Sequence, residues 1–69
     1  MEKVQISMAA ARVNAKMTQN EAAREMSVSK NTIVNWEKGT TSPTISQARK
    51  LAAIYGIPLD YIFLPQASN

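Results

Sequence analysis

The stretch MTQNEAAREMSVSKNTIVNWEKG, residues 17–39, decides the fold of this 69-residue chain. Thr18 followed three residues later by Glu21 has the spacing of a capping box, in which each side chain satisfies a backbone N–H that the helix start leaves open. Met17 stands where it can staple onto Ala22, so a helix is expected from Gln19 to about Met26. Ser29 is the next cap, flanked by Val28 and Ile33 as a second staple, and a helix from Lys30 to Lys38 should follow until Gly39 stops it. Only Ser27 and Val28 lie between the first helix and the second cap, which forces a sharp turn and keeps the two helices from running antiparallel. Ala23 supplies the small residue a helix crossing needs, while Ala22, Met26, Val28, Ile33 and Trp36 fall at spacings that face one core.

Working outward, a helix from Ser7 to about Lys16 should present Met8, Ala11 and Ala15 on one face, with residues 1 to 6 loose. Downstream, Thr40 to Pro43 reads as a loop. Thr44 with Gln47 repeats the capping-box spacing, and Ile45, Ala48, Leu51, Ala52 and Tyr55 line an apolar face until Gly56 ends a fourth helix. Pro58 suits the first turn of a fifth helix reaching about Phe63, and Pro65 closes it. Leu59, Ile62 and Phe63 would finish the core. No segment alternates with period two for long enough to predict a strand, so the expected class is all-α: one domain over residues 1–69, five helices, a core from about 7 to 64 and loose termini.

Composition narrows function. The chain has no Cys and no His, which removes disulfides, Cys/His zinc sites and every nucleophile or base arrangement built on those side chains. Asp60 and the scattered Glu residues form no paired-carboxylate or metal constellation, so no enzyme, metal or cofactor is expected. No apolar run approaches the roughly 20 residues of a membrane span and no secretory leader pattern opens the chain, which favours the cytoplasm, at the nucleoid. Eight Lys and Arg against five Asp and Glu give a net charge of +3, compatible with a polyanion but not diagnostic of one.

The Lys30–Lys38 helix is more informative. With Ile33 and Trp36 turned inward, Lys30, Asn31, Val34, Asn35 and Lys38 share the outward face. Asn can pair bidentately with adenine, Lys can donate to guanine or to phosphate, and Val can rest on a thymine methyl. Read alone, such a face is also an ordinary solvated surface; what tips the reading is its place as the second helix of a tight helical pair. Trp36 could stack on bases, but its spacing from Ile33 favours the core.

The chain resembles the phage repressor and Cro-like (XRE-type) helix-turn-helix family from about Met8 to Leu64. The resemblance is carried by Met17-Thr18-Gln19, Ala22-Ala23, Val28-Ser29, Thr32-Ile33, Trp36-Glu37-Lys38-Gly39, Pro43, Lys50-Leu51-Ala52 and Gly56-Ile57-Pro58-Leu59-Asp60. Two positions depart from the family pattern, Ser27 in the turn and Lys16 before the second helix, where the family usually has Gly. A left-handed Ser27 would cost roughly 1 kcal/mol.

The resemblance implies a compact five-helix lambda-repressor-like domain whose third helix reads bases through Lys30, Asn31, Val34 and Asn35. It further implies phosphate contacts from Gln19 and from Lys38, Thr40, Thr41 and Ser42, with Thr18 and Ser29 acting first as caps and second as phosphate contacts. An Arg on the first helix pairs in this family with a Glu at the position of Glu37, which makes Arg12 and Glu37 a brace; otherwise Glu37, opposing the helix dipole, stands in water.

One reading helix covers few base pairs, so a homodimer on an operator with half-sites about one turn apart is expected. Pro58, Tyr61 and Leu64, with Pro65, are the candidates for its contact, the bland alternative being a monomer that pairs only on DNA. The expected function is a sequence-specific double-stranded DNA-binding regulator, a repressor sooner than an activator, with no small-molecule ligand. The alternative is an antitoxin or other protein-interaction module using the same fold.

Overall fold

The computed structural model describes residues 4–64. Its elements are β1 (Ile6–Ser7), α1 (Met8–Asn14), α2 (Gln19–Met26), α3 (Lys30–Lys38), α4 (Ile45–Tyr55), a 3-10 turn (Leu59–Tyr61) and β2 (Ile62–Phe63).

All four helices start in the same way. Ser7, Thr18, Ser29 and Thr44 sit in extended backbone, and the hydroxyl of each accepts the N–H three residues on, from Ala10, Glu21, Thr32 and Gln47. At Thr18 and Thr44 the box is reciprocal, because Glu21 and Gln47 accept the cap's own N–H at 2.8 Å. The helices also end alike. Met17, Val28, Thr40 and Ile57 each donate their N–H to the carbonyl five residues back, on Arg12, Ala23, Asn35 and Ala52, at 3.0 to 3.1 Å. That closure requires a left-handed residue just before the donor, and Lys16 (φ 61°), Ser27 (φ 59°), Gly39 (φ 82°) and Gly56 (φ 73°) occupy those positions. Glycine takes this conformation freely; Lys16 and Ser27 do so against the clash of their own Cβ.

The left-handed Lys16 also explains why α1 stops at Asn14 and not at Lys16. Apolar faces of α1 to α4 converge on one core of Met8, Ala11, Ala22, Ala23, Met26, Ile33, Trp36, Leu51, Ala52, Tyr55 and Ile62. Ile33 and Leu51 are its largest fully buried side chains, and the alanines let the short helices approach closely. Ala15, Met17, Val28, Ile57 and Leu59 pack half-buried around it.

The end of the domain departs from expectation. Residues 58–63 form no fifth α-helix: Pro58 leads into a single 3-10 turn, after which Ile62 is extended (φ −104°, ψ 123°). The segment is too short to repay helix nucleation, and a β-branched residue with a strand partner does better extended. That partner is β1. The two strands run parallel, with Ile6 opposite Ile62 and Ser7 opposite Phe63, so the class is mostly helical with a two-stranded sheet and not all-α, and Ile6 is not loose.

Alternation along β2 turns Ile62 into the core and Phe63 outward, where it stays 52 % exposed and finishes nothing. Leu64, a candidate for the dimer contact, packs half-buried against the core, whereas Ile45, expected on the buried face of α4, is 62 % exposed. Pro65 lies outside the described residues. Among the described residues no helix is long and apolar enough to cross a membrane.

Candidate nucleic-acid interface

The α2–α3 pair is set by its turn. Ser27 adopts φ 59° and ψ 41°, its N–H donates to the Arg24 carbonyl at 3.1 Å, and Val28 N–H reaches the Ala23 carbonyl at 3.0 Å. Chain direction thus changes within two residues, and Ser29 is delivered directly as the cap of α3. The Ser29 hydroxyl accepts Thr32 N–H at 3.2 Å and lies 3.0 Å from the Thr32 hydroxyl. Thr32, absent from the sequence-derived site, therefore completes the start of α3; its signal was the Ser-x-x-Thr spacing.

Ile33 and Trp36 anchor α3 in the core at 1 % and 4 % exposure, which fixes the rotation of the helix about its axis. Trp36 is thereby a core residue and offers no stacking surface. On the opposite side Lys30, Asn31 and Lys38 are exposed and Val34 and Asn35 half-buried. The side chains of Lys30, Asn31 and Lys38 make no hydrogen bond or ion pair to any described residue. Beyond Gly39, the Thr40 and Thr41 N–H groups fold back onto the Asn35 carbonyl at 3.0 and 3.5 Å, and Thr40, Thr41 and Ser42 remain exposed beside the end of α3.

Behind this face lies a charged joint. Arg12 donates from Nε to Glu37 Oε2 at 2.7 Å, from Nη2 to Glu37 Oε1 at 3.4 Å, and from Nη1 to the Met17 carbonyl at 2.9 Å. The pair is largely buried, with side chains 14 % and 9 % exposed. Hydrogen bonding to Glu37 holds the Arg12 pKa above its ordinary value against the opposing effect of burial, so the guanidinium stays charged. The structure adds a third member: Gln19 Nε2 donates to Glu37 Oε1 at 3.0 Å.

Gln19 was expected only at phosphate; its side-chain amide is turned to Glu37, which leaves the helix-start backbone as its means of reaching an anion. No local signal links positions 19 and 37. Thr18 has its hydroxyl engaged by Glu21 N–H at 3.0 Å, consistent with a cap first. Beneath the joint, burial pushes the Tyr55 phenol up to about 12, with the Glu37 charge adding to the rise and Arg12 opposing it.

The remaining candidates stand apart from this face in the sequence. Pro58 and Tyr61 are exposed in and before the 3-10 turn, and Leu64 is half-buried.

Comparison with known proteins agrees with this geometry. The helix-turn-helix family model matches residues 8–62. The chain is 44 % identical over 58 residues to the cryptic phage CTXphi transcriptional repressor RstR of Vibrio cholerae, covering 84 % of this chain and 52 % of that protein. It is 35 % identical over 48 residues to an uncharacterised helix-turn-helix-type transcriptional regulator of Methanocaldococcus jannaschii, covering 70 % of this chain and 73 % of the relative. A similar regulator of Archaeoglobus fulgidus is 36 % identical over 53 residues, or 77 % and 75 % of the two chains. This chain thus spans about half the length of the Vibrio repressor. No solved structure matches it significantly. With the match running from the first residue of α1 to the first of β2, the chain belongs to the helix-turn-helix family.

Proposed function

We propose that this protein is a sequence-specific double-stranded DNA-binding transcriptional regulator of the phage repressor kind, acting at the nucleoid, and not an enzyme. Helix α3 enters the major groove. Lys30, Asn31, Val34 and Asn35 meet base edges; the start of α2 at Thr18 and Gln19, the cap Ser29, and the run Lys38, Thr40, Thr41 and Ser42 meet phosphates. The supporting observation is the division of α3 into a face locked in the core by Ile33 and Trp36 and a face on which Lys30, Asn31 and Lys38 are exposed, with no hydrogen bond or ion pair from their side chains to any described residue. Kinship with a phage transcriptional repressor supports the same reading.

Specificity in such a small domain calls for two copies, each reading a half-site about one helical turn from the other, and Pro58, Tyr61 and Leu64 are the candidates for their contact. A bound dimer covers a promoter, which favours repression. Selection of sites from random duplex DNA, followed by Asn31→Ala and Asn35→Ala, tests the reading. A palindromic consensus whose preference relaxes in both variants supports it; absence of sequence-preferring binding at low salt, or unchanged preference in the variants, overturns it.

A further inference from the structure

Charge is missing from one side of this domain. Between Val4 and Ala15 the chain carries a single charged residue, Arg12, and none follows Asp60. Arg12 is turned inward to Glu37 and left 14 % exposed. The two segments meet, because β1 pairs with β2 and β2 packs against α1. In the parallel register Ser7 lies opposite Phe63, so their side chains share the outer side of the sheet. The Ser7 hydroxyl in turn accepts the Ala10 N–H at 3.0 Å, which sets the first turn of α1 beside them. Val13 follows Ala10 by three positions and Ala9 by four, so these three share one side of α1, opposite the buried Met8 and Ala11. Phe63, Ser7, Ala10 and Val13 are all exposed, Val13 by 62 % and Phe63 by 52 %, and form one continuous uncharged strip. Its two ends carry opposite signs. Lys16 donates its N–H to the Val13 carbonyl at 2.9 Å and closes one end; at the other, the Asp60 carbonyl accepts from Gln5 Nε2 at 3.1 Å at the entry to β1.

Charge decides between the occupants such a strip could have. A DNA backbone is held by cations, and the strip has none between its ends. A different protein would be selected by complementary charge, which is equally missing there. A second copy needs no such complement. Turned about a two-fold axis, the strip meets itself head to tail: the Val13 end faces the Phe63 end, no charge is buried, and Lys16 at one end comes beside Asp60 at the other.

We infer that the strip of Ser7, Ala10, Val13 and Phe63 is the contact between two copies of this chain. The pairing is thereby centred on α1 and Phe63, with the turn from Pro58 to Tyr61 at its edge. That two copies act together rests on the function proposed above. Val13 and Phe63 supply the apolar contact, and Ala9 and Ala10 let the two α1 helices approach closely. So few side chains from each copy make a small interface, so the free chain pairs weakly and the pair is completed on adjacent half-sites.

Sedimentation equilibrium of the full chain, from micromolar to millimolar concentration, tests this beside amide chemical shifts recorded over the same range. A monomer–dimer equilibrium is expected, with concentration-dependent shifts centred on Ala9, Ala10, Val13 and Phe63. V13S/F63S should weaken association about tenfold and leave the melting temperature close to that of wild type, since both side chains already face water. Ala10→Glu, which sets a carboxylate on the strip at a helix position that favours one, should weaken it as much. Lys16→Glu should weaken it several-fold, and K16E/D60K should recover it. On a palindromic site from the selection, wild type should bind cooperatively and V13S/F63S without cooperativity, while affinity for a single half-site stays within about twofold of wild type. Association unchanged in both V13S/F63S and Ala10→Glu, shifts centred instead on residues 59–61, or a chain that is monomeric throughout and non-cooperative on DNA overturns the inference and leaves DNA binding standing. Self-association through this strip in a chain that binds no DNA would overturn the proposed function and leave the contact standing.

Discussion

The Arg12 guanidinium lies along the Glu37 carboxylate, Nε to Oε2 at 2.7 Å and Nη2 to Oε1 at 3.4 Å, joining α1 to α3 across 25 positions of sequence. The same arginine holds the Met17 carbonyl and the same glutamate holds the Gln19 amide, so α1, the start of α2 and α3 meet at one point. A carboxylate in the last turn of a helix opposes the dipole; here the guanidinium compensates it.

Because this pair is largely buried, removing one partner leaves a charge with little water to replace it. Arg12→Ala or Glu37→Ala should destabilise the fold by roughly 3 kcal/mol, whereas Arg12→Met with Glu37→Leu should recover most of that loss. Urea unfolding of the two single variants and the double variant checks this; additive losses in the double variant would contradict it.

Lys16 and Ser27 hold a left-handed conformation that costs an L-residue with a Cβ more than it costs glycine. Lys16→Gly and Ser27→Gly should each stabilise by about 0.5–1 kcal/mol, since relief of the clash exceeds the added flexibility of the unfolded chain. The two gains should add, because the sites lie at opposite ends of α2. Thermal melts of the single and double variants measure the effect.

Ile62 and Phe63 are neighbours with opposite orientations. Ile62→Ala should cost about 3 kcal/mol through the cavity it leaves, and Phe63→Ala under about 0.5 kcal/mol. Equal losses in denaturant titrations would mean that β2 does not alternate as described.

Tyr55 binds its proton more tightly in the folded state, with a pKa of about 12, than in the unfolded chain, near 10. Its contribution to stability is therefore complete below pH 10 and is lost as pH rises toward 12. The decline in stability over that window should be smaller in Tyr55→Phe. Denaturant midpoints measured across the window compare the two proteins.

Lys30 and Lys38 flank the candidate reading face and have no anionic partner among the described residues. If both neutralise phosphate, Lys38→Ala should weaken binding to all duplexes alike and lower the log-log salt slope by about 1 per protomer. Lys30→Ala should do the same if it reaches only the backbone, or lose discrimination at one base pair if it reads guanine. Affinity measured against salt for matched and mismatched duplexes distinguishes these.

The residues that legibly encode this fold act over three to five positions. Thr18 with Glu21, Thr44 with Gln47, and Ser29 with Thr32 mark helix starts because a cap and its N–H lie three residues apart; Gly39 and Gly56 mark the ends for the same local reason. The sharp α2–α3 turn and the inward rotation of Ile33 and Trp36 follow from those boundaries and the helical period, so the candidate reading face of α3 could be drawn from the sequence. What the tertiary structure decided depends on partners far along the chain. Ile62 is a strand residue because Ile6 lies opposite it, Gln19 turns its amide inward because Glu37 is there, and Ile45 is left in water because α4 meets its neighbours further along, from Ala48 onward. Local hydrogen bonding settles where a helix begins and ends; which side chains it buries, and whether a short segment stays a helix at all, is settled by what packs against it.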